Sequence, residues 1–137
     1  MDRKNIYLHV TNDDSTAYFP NNNASVFHVK LNKPLYLKGA WQLGVCELEI
    51  KCDLSSYLYV VCSACQVLVV DGKQTRVLRA LSVNKTYHEI YPVIFYVPVE
   101  TQFIDTIEFR LIQRNGTPIS FKEQESFVHM TLHLTPC

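Results

Sequence analysis

The chain has four glycines and two methionines in 137 residues, and no glycine-rich phosphate loop, G-x-S-x-G elbow, H-E-x-x-H helix or paired-carboxylate motif. An enzyme built on it would have to gather its residues from distant loops. The expectation is therefore a non-enzyme, with no catalytic, cofactor-binding or metal-binding residue to assign and no cofactor. Charge of one sign is lacking too: thirteen basic and thirteen acidic side chains cancel, and no Lys/Arg run stands at either end. That argues against a nucleic-acid-wrapping arm or an anionic-membrane anchor. No apolar run approaches membrane-spanning length. The opening MDRKNIYLHV is charged and then alternating, unlike a signal peptide, so the expected product is made in the cytoplasm or nucleus and not secreted. Five cysteines, an odd number, fit reduced thiols.

What the sequence does have is aromatic and β-branched residues. Eight Tyr and seven Phe with many Val and Ile favour strands, and no segment carries a convincing helical period. Ile6, Leu8 and Val10 alternate with Tyr7 and His9 up to Thr11. After the turn cluster around Asn21, Asn22 and Asn23, residues 25–31 place Phe27, Val29 and Leu31 on one face. Asn32, Lys33 and Pro34 interrupt, and residues 35–37 resume. In residues 41–50 the apolar phase moves from Trp41, Leu43 and Val45 to Cys46, Leu48 and Ile50, which predicts a bulge near Gly44. Residues 51–56 read as a polar connection. The near-continuous apolar runs at 57–62 and 67–70 suit central strands or strands leaning on a neighbouring subunit. Asp71-Gly72 turns the chain into residues 76–83, and residues 84–91 are the least readable.

Pro92 and Pro98 demote residues 93–97 to an edge or bulged strand. Ile107, Phe109 and Leu111 alternate cleanly before the Asn115-Gly116 turn. Ile119 and Phe121 make a short return, 122–126 is a polar loop, and Val128, Met130, Leu132 and Leu134 close the chain. Trp41, Phe109 and Leu132 are the expected core markers. A single domain over 1–137 is large enough to bury about two-thirds of its unfolded surface. Its fold class is all-β, a two-sheet antiparallel sandwich. The pattern leaves jelly-roll and immunoglobulin-like topologies open, and a single jelly roll is preferred.

The remaining candidates each have a plain reading. Cys62-Ser63-Ala64-Cys65 would need a second close pair to hold zinc, and Cys46 and Cys52 are spaced too widely, so buried structural thiols are expected. His129 and His133 on a strand lie about 13 Å apart, too far for one ion. They are expected to point outward, as are His9 and His28. His88-Glu89 beside Tyr87 is expected to serve loop hydrogen bonding. The sequons at Asn23, Asn84 and Asn115 read as chance matches in loops. Tyr7, Tyr18, Phe19 and Tyr57 are candidate surface aromatics for partner contact.

Two blocks resemble the minor capsid, or penton, proteins of the Polinton/Maverick elements and their adintovirus relatives. YFPNNNASVFHVKLNKPLYLKGAWQLGVCELEI is similar to that family's aromatic-Pro-x-Asn turn, Pro-Leu/Ile-x-Leu step and Gly-x-Trp with a bent strand. VPVETQFIDTIEFRLIQRNGTPISFKEQESFVHMTLHL is similar to its closing strand, polar-Gly-x-Pro return and final Leu-His. Together they cover about half the chain. Lys51-Cys52-Asp53-Leu54 stands where the family usually has a Tyr-Pro-His-Trp-like segment, and Leu134-Thr135-Pro136-Cys137 replaces its basic tail. The resemblance implies a single jelly-roll virion protein forming homopentamers at icosahedral five-fold vertices, beside a major capsid protein. The alternative is a soluble jelly-roll recognition module binding glycan or protein, including a capsid-derived protein turned to another use.

Overall fold

The computed structural model describes residues 5–70, 72–121 and 126–137. Its elements are β1 (Ile6–Thr11), β2 (Val26–Tyr36), β3 (Trp41–Cys62), β4 (Leu68–Val70), β5 (Lys73–Thr75), β6 (Val77–Ile90), β7 (Tyr96–Pro98), β8 (Phe103–Ile112) and β9 (Phe127–Pro136). Among the described residues there is no helix, and so none long and apolar enough to cross a membrane. Asp71 and residues 122–125 of the expected 122–126 loop lie outside the described residues.

β3 is the spine. Residues 41–51 pair with β9 on one edge, and on the other with β7 and the end of β6. Residues 55–62 pair with the start of β6 on one edge and with β8 on the other. Adding β1 beside β9 and β2 beside β8 gives one antiparallel sheet of seven strands with two arms. The first arm runs β1-β9-β3, then β7 and the end of β6. The second runs β2-β8-β3-β6. The sheet bends until it nearly closes on one continuous core, an all-β sandwich or barrel architecture.

The bend falls where a connection was expected. Residues 52–54 of β3 stand opposite Lys85 alone, whose φ of 62° is left-handed, and pairing resumes at Ser55 and Asn84. The Ser55 hydroxyl donates to Asn84 Oδ1 at 2.6 Å. Three residues against one turn the ribbon without releasing it, so the polar segment 51–56 is a bulged part of β3 and the obscure segment 84–90 is its partner. The bulge expected near Gly44 lies at Cys46, since Val45 pairs with Leu132 and Glu47 with Thr131. This one-residue insertion lets Leu43 and Val45, then Leu48 and Ile50, all reach the core.

The apolar run at 57–62 is a central segment between β6 and β8. The run at 67–70 instead supplies β4, which pairs with β5 in a separate two-stranded ribbon. β2 continues through Asn32, Lys33 and Pro34, at the cost of a register break between Lys30 and Leu35. Of the proline-bracketed run, only Tyr96–Pro98 is strand, at the sheet edge.

Phe109 and Leu132 are fully buried. Trp41 is only half-buried. It opens β3 at the core's margin, where its indole N–H donates to the Lys38 carbonyl at 3.0 Å, a partner that a fully apolar position would not offer.

The outer edge of β2 is capped by side chains. Asn22 accepts from the His28 N–H at 2.9 Å and donates to the His28 carbonyl at 2.8 Å, imitating a neighbouring strand. The Ser15 hydroxyl accepts from the Lys30 N–H at 2.9 Å. An edge whose backbone groups are already satisfied is closed to strand addition.

Candidate functional site

Alternation along the first arm sends Tyr7 and His9 of β1, His129, Thr131 and His133 of β9, and Glu47 and Glu49 of β3 away from the core. The outward expectation for His9, His129 and His133 therefore holds, and three strands assemble these groups into one polar face. Strand pairing gives them partners remote in sequence. The His133 ring stacks on Tyr7 at 4.6 Å. Its Nδ1 accepts from the Tyr96 hydroxyl at 2.6 Å and its Nε2–H donates to Asn5 Oδ1 at 3.0 Å. Those two bonds suit a neutral imidazole, and burial lowers the His133 pKa in the same sense. His9 meets the Thr131 hydroxyl at 3.0 Å and lies nearly parallel to His129, ring centroids 6.5 Å apart. His28, on the outer side of β2, faces Glu108 at 3.0 Å and stacks on Phe19.

His88, expected in a loop, lies on β6, where its Nε2 meets Glu47 Oε2 across the ladder at 2.7 Å. The hydrogen bond to Glu47, then the negative charges of Glu47, Glu49 and Glu89, raise the His88 pKa against a smaller opposing effect of desolvation. The same bond lowers the Glu47 pKa. The signs fix a pH window. A raised imidazole stabilises fully below its ordinary 6.5 and loses that contribution as pH climbs through the folded value. A lowered carboxylate stabilises above its ordinary 4.5 and loses it as pH falls through the folded value. The pair is strongest between those two pH values. His88 is exposed and Glu47 half-buried at the surface, so the effect is modest and screened by salt. His88→Gln should flatten the pH dependence of the melting temperature around that window at low ionic strength. A variant whose profile overlays the parent's would remove this pair from the account.

Cys62 and Cys65 are fully buried and close a turn in which the Cys65 N–H donates to the Cys62 carbonyl at 3.2 Å. The bond to Cys62 and then burial raise the Cys65 thiol pKa, keeping it protonated and a poor nucleophile. Among the described residues, no three His, Cys, Asp or Glu side chains are grouped to hold a metal ion. The sequon asparagines are hydrogen-bonded, Asn23 locally with Ser25 and Val26, Asn115 locally with Thr117, and Asn84 across the ladder with Ser55. Asn84 is on β6 and not in a loop.

Tyr7, Tyr18 and Tyr57 are exposed, while Phe19 is half-buried against His28. Further exposed apolar groups lie beyond those that alternation marks. Tyr36 and Phe103 form an exposed ring pair at 5.0 Å where β2 meets β8. Near the end of β6 and the segment after it, Ile90, Val93 and Phe95 are exposed. The start of β6, residues 77–80, and residues 93–95 enclose an apolar groove of about 390 Å³. Phe103 shares the odd phase of Ile107 and Phe109, and alternation alone would bury it. The break opposite Lys30 and Leu35 inverts that phase, burying Ile104 and turning Phe103 out. The chain matches no protein-family model and no curated protein.

Proposed function

We propose that the chain is a structural capsid subunit of penton type, a single jelly roll that assembles into homopentamers at five-fold vertices alongside a major capsid protein and acts in the virion without catalysis. The observation that carries this reading is the strand order. One arm runs β1-β9-β3-β7 and the other β2-β8-β3-β6, with β3 serving both. Four strands facing four, with chain-distant strands as neighbours, is the arrangement expected when a jelly roll wraps a long hairpin around a core. The two sequence blocks similar to penton proteins supply the front and back of that order. The exposed Tyr36–Phe103 pair at the β2 margin of the second arm, and exposed Val93 and Phe95 beside its β6 margin, support self-association, because exposed large apolar patches mark interaction surfaces.

The polar face of the first arm fits a role in contact or orientation better than one in chemistry. Its histidines are bonded to Glu, Tyr, Thr or Asn, or stacked on another ring. Native mass spectrometry across protein concentration is expected to show a closed ring of five, and imaging should find the protein at particle vertices. A strictly monomeric protein absent from five-fold positions would overturn the reading in favour of a glycan- or protein-binding module.

A further inference from the structure

We infer that the groove between residues 77–80 and 93–95 seats the Tyr36–Phe103 aromatic pair of a second copy of this chain. The inference rests on the capsid-subunit reading and names the contact through which the subunits would join.

The groove's chemistry selects an aromatic guest. Its walls are apolar except for Arg79, whose guanidinium lies 3.7 Å from the centre of the Tyr91 ring. A guanidinium has two faces. Tyr91 takes one, and a ring entering the groove can stack on the other while its edge meets Val93 and Phe95. Val93 is 80% exposed and Phe95 63%, so both have apolar area to bury.

The same chain presents the matching group. Tyr36 is 78% exposed and its ring is already held against Phe103. A side chain fixed before docking loses little rotamer freedom on binding, which favours it over a free surface aromatic such as Tyr18. Position agrees with chemistry. β2 and β6 are the two ends of the arm β2-β8-β3-β6, so the aromatic pair and the groove stand at opposite margins. A knob and a groove at opposite margins of one domain do not share a single contact face, as a two-fold interface requires. They meet head to tail, a contact that makes a ring where its rotation closes. Because Asn22 and Ser15 cap the β2 edge, side chains and not added backbone ladders make the contact.

The test uses the full chain, with exposed Cys137 replaced by Ser to remove a competing thiol. One preparation carries Tyr36→Cys and another Phe95→Cys. Mixed and mildly oxidised, they should yield a cross-linked species containing one of each, which neither forms alone. In parallel, Tyr36→Ser and Val93→Asp should each weaken association by about thirtyfold or more, as loss of an interface anchor does. Both sites are exposed, so the variants should melt with the parent. Parental self-association that survives both substitutions, without a mixed cross-link, would overturn this contact and leave the subunit reading standing. A cross-linked homodimer formed by the Tyr36→Cys preparation alone would overturn it in favour of a two-fold contact. A parent that stays monomeric at every concentration would defeat both this contact and the capsid reading.

Discussion

Phe109→Ala should lower stability by about 3–5 kcal/mol, a large share of the roughly 5–15 kcal/mol that holds a domain together. Phe109 has no exposed surface and sits in the middle of the second arm, paired with Phe27 on β2 and with Cys62 at the end of β3. Its ring stacks on that of Phe27 with centroids 5.3 Å apart, and Phe27 is equally buried. Alanine therefore removes transfer energy and the ring contact, and leaves a cavity that β2 and β3 cannot fill without breaking their ladders with β8. Thermal unfolding is expected to shift down by about 10 °C or more. Phe109→Leu, which keeps most of the volume, should lose clearly less. A Phe109→Ala protein melting within a degree or two of the parent would mean that the strand faces the other way.

The burial of Phe109 is legible in the sequence, and the reason is physical. A strand with one buried face must alternate, so β1, β8 after Thr106, and β9 declare their inward residues by phase alone. Even the phase change in residues 41–50 announces a bulge, though glycine draws the expectation two residues away from its true place at Cys46. Alternation fails where the backbone deviates under side chains that give no sign of it. Lys51, Asp53, Ser55 and Ser56 lie largely outside the core at the bulged turn of β3, and polarity of that kind imitates a break in the strand. The end of β6 is an edge with solvent on both sides, so no apolar period could form there.

The face and the groove are harder to read, because their partners lie far apart along the chain. His88 and Glu47 are 41 residues apart, and His133 and Tyr96 are 37. Outward orientation can be read from each strand; which outward groups meet depends on the order β1-β9-β3 and the return of β7, which phase does not encode. The apolar groove has the same origin. Val93, Ile94 and Phe95 read as a poor strand, but their relation to residues 77–80 arises only when the sheet bends at residues 52–54.

Gly44→Ala is expected to destabilise the protein by about 1–3 kcal/mol, against the ordinary trend for a strand, where alanine in place of glycine is favourable by about 0.5–1 kcal/mol. The sign turns on a close approach. Gly44 takes the phase opposite to Leu43 and Val45 and pairs with His133 on one side and Tyr96 on the other. A Cβ there would overlap Ile94 Cγ2 and stand 3.0 Å from the Phe95 carbonyl oxygen and 3.1 Å from a Tyr96 ring carbon. Two of those neighbours belong to the groove wall, and the third holds His133. The overlap cannot be relieved by one side-chain rotation, because the backbone of Phe95 is also in the way; residues 94–96 must move together. Two readouts should then change along with the melting temperature. The His133 pKa, held down by burial, should rise toward its ordinary value as Tyr96 withdraws. Ile94→Ala should cost less in the Gly44→Ala background than in the parent, because removing Cγ2 relieves the clash, and a double-mutant cycle measures that coupling directly. Simple additivity of the two substitutions, or a Gly44→Ala protein as stable as the parent with His133 unchanged, would show that residues 94–96 do not pack over Gly44 as described.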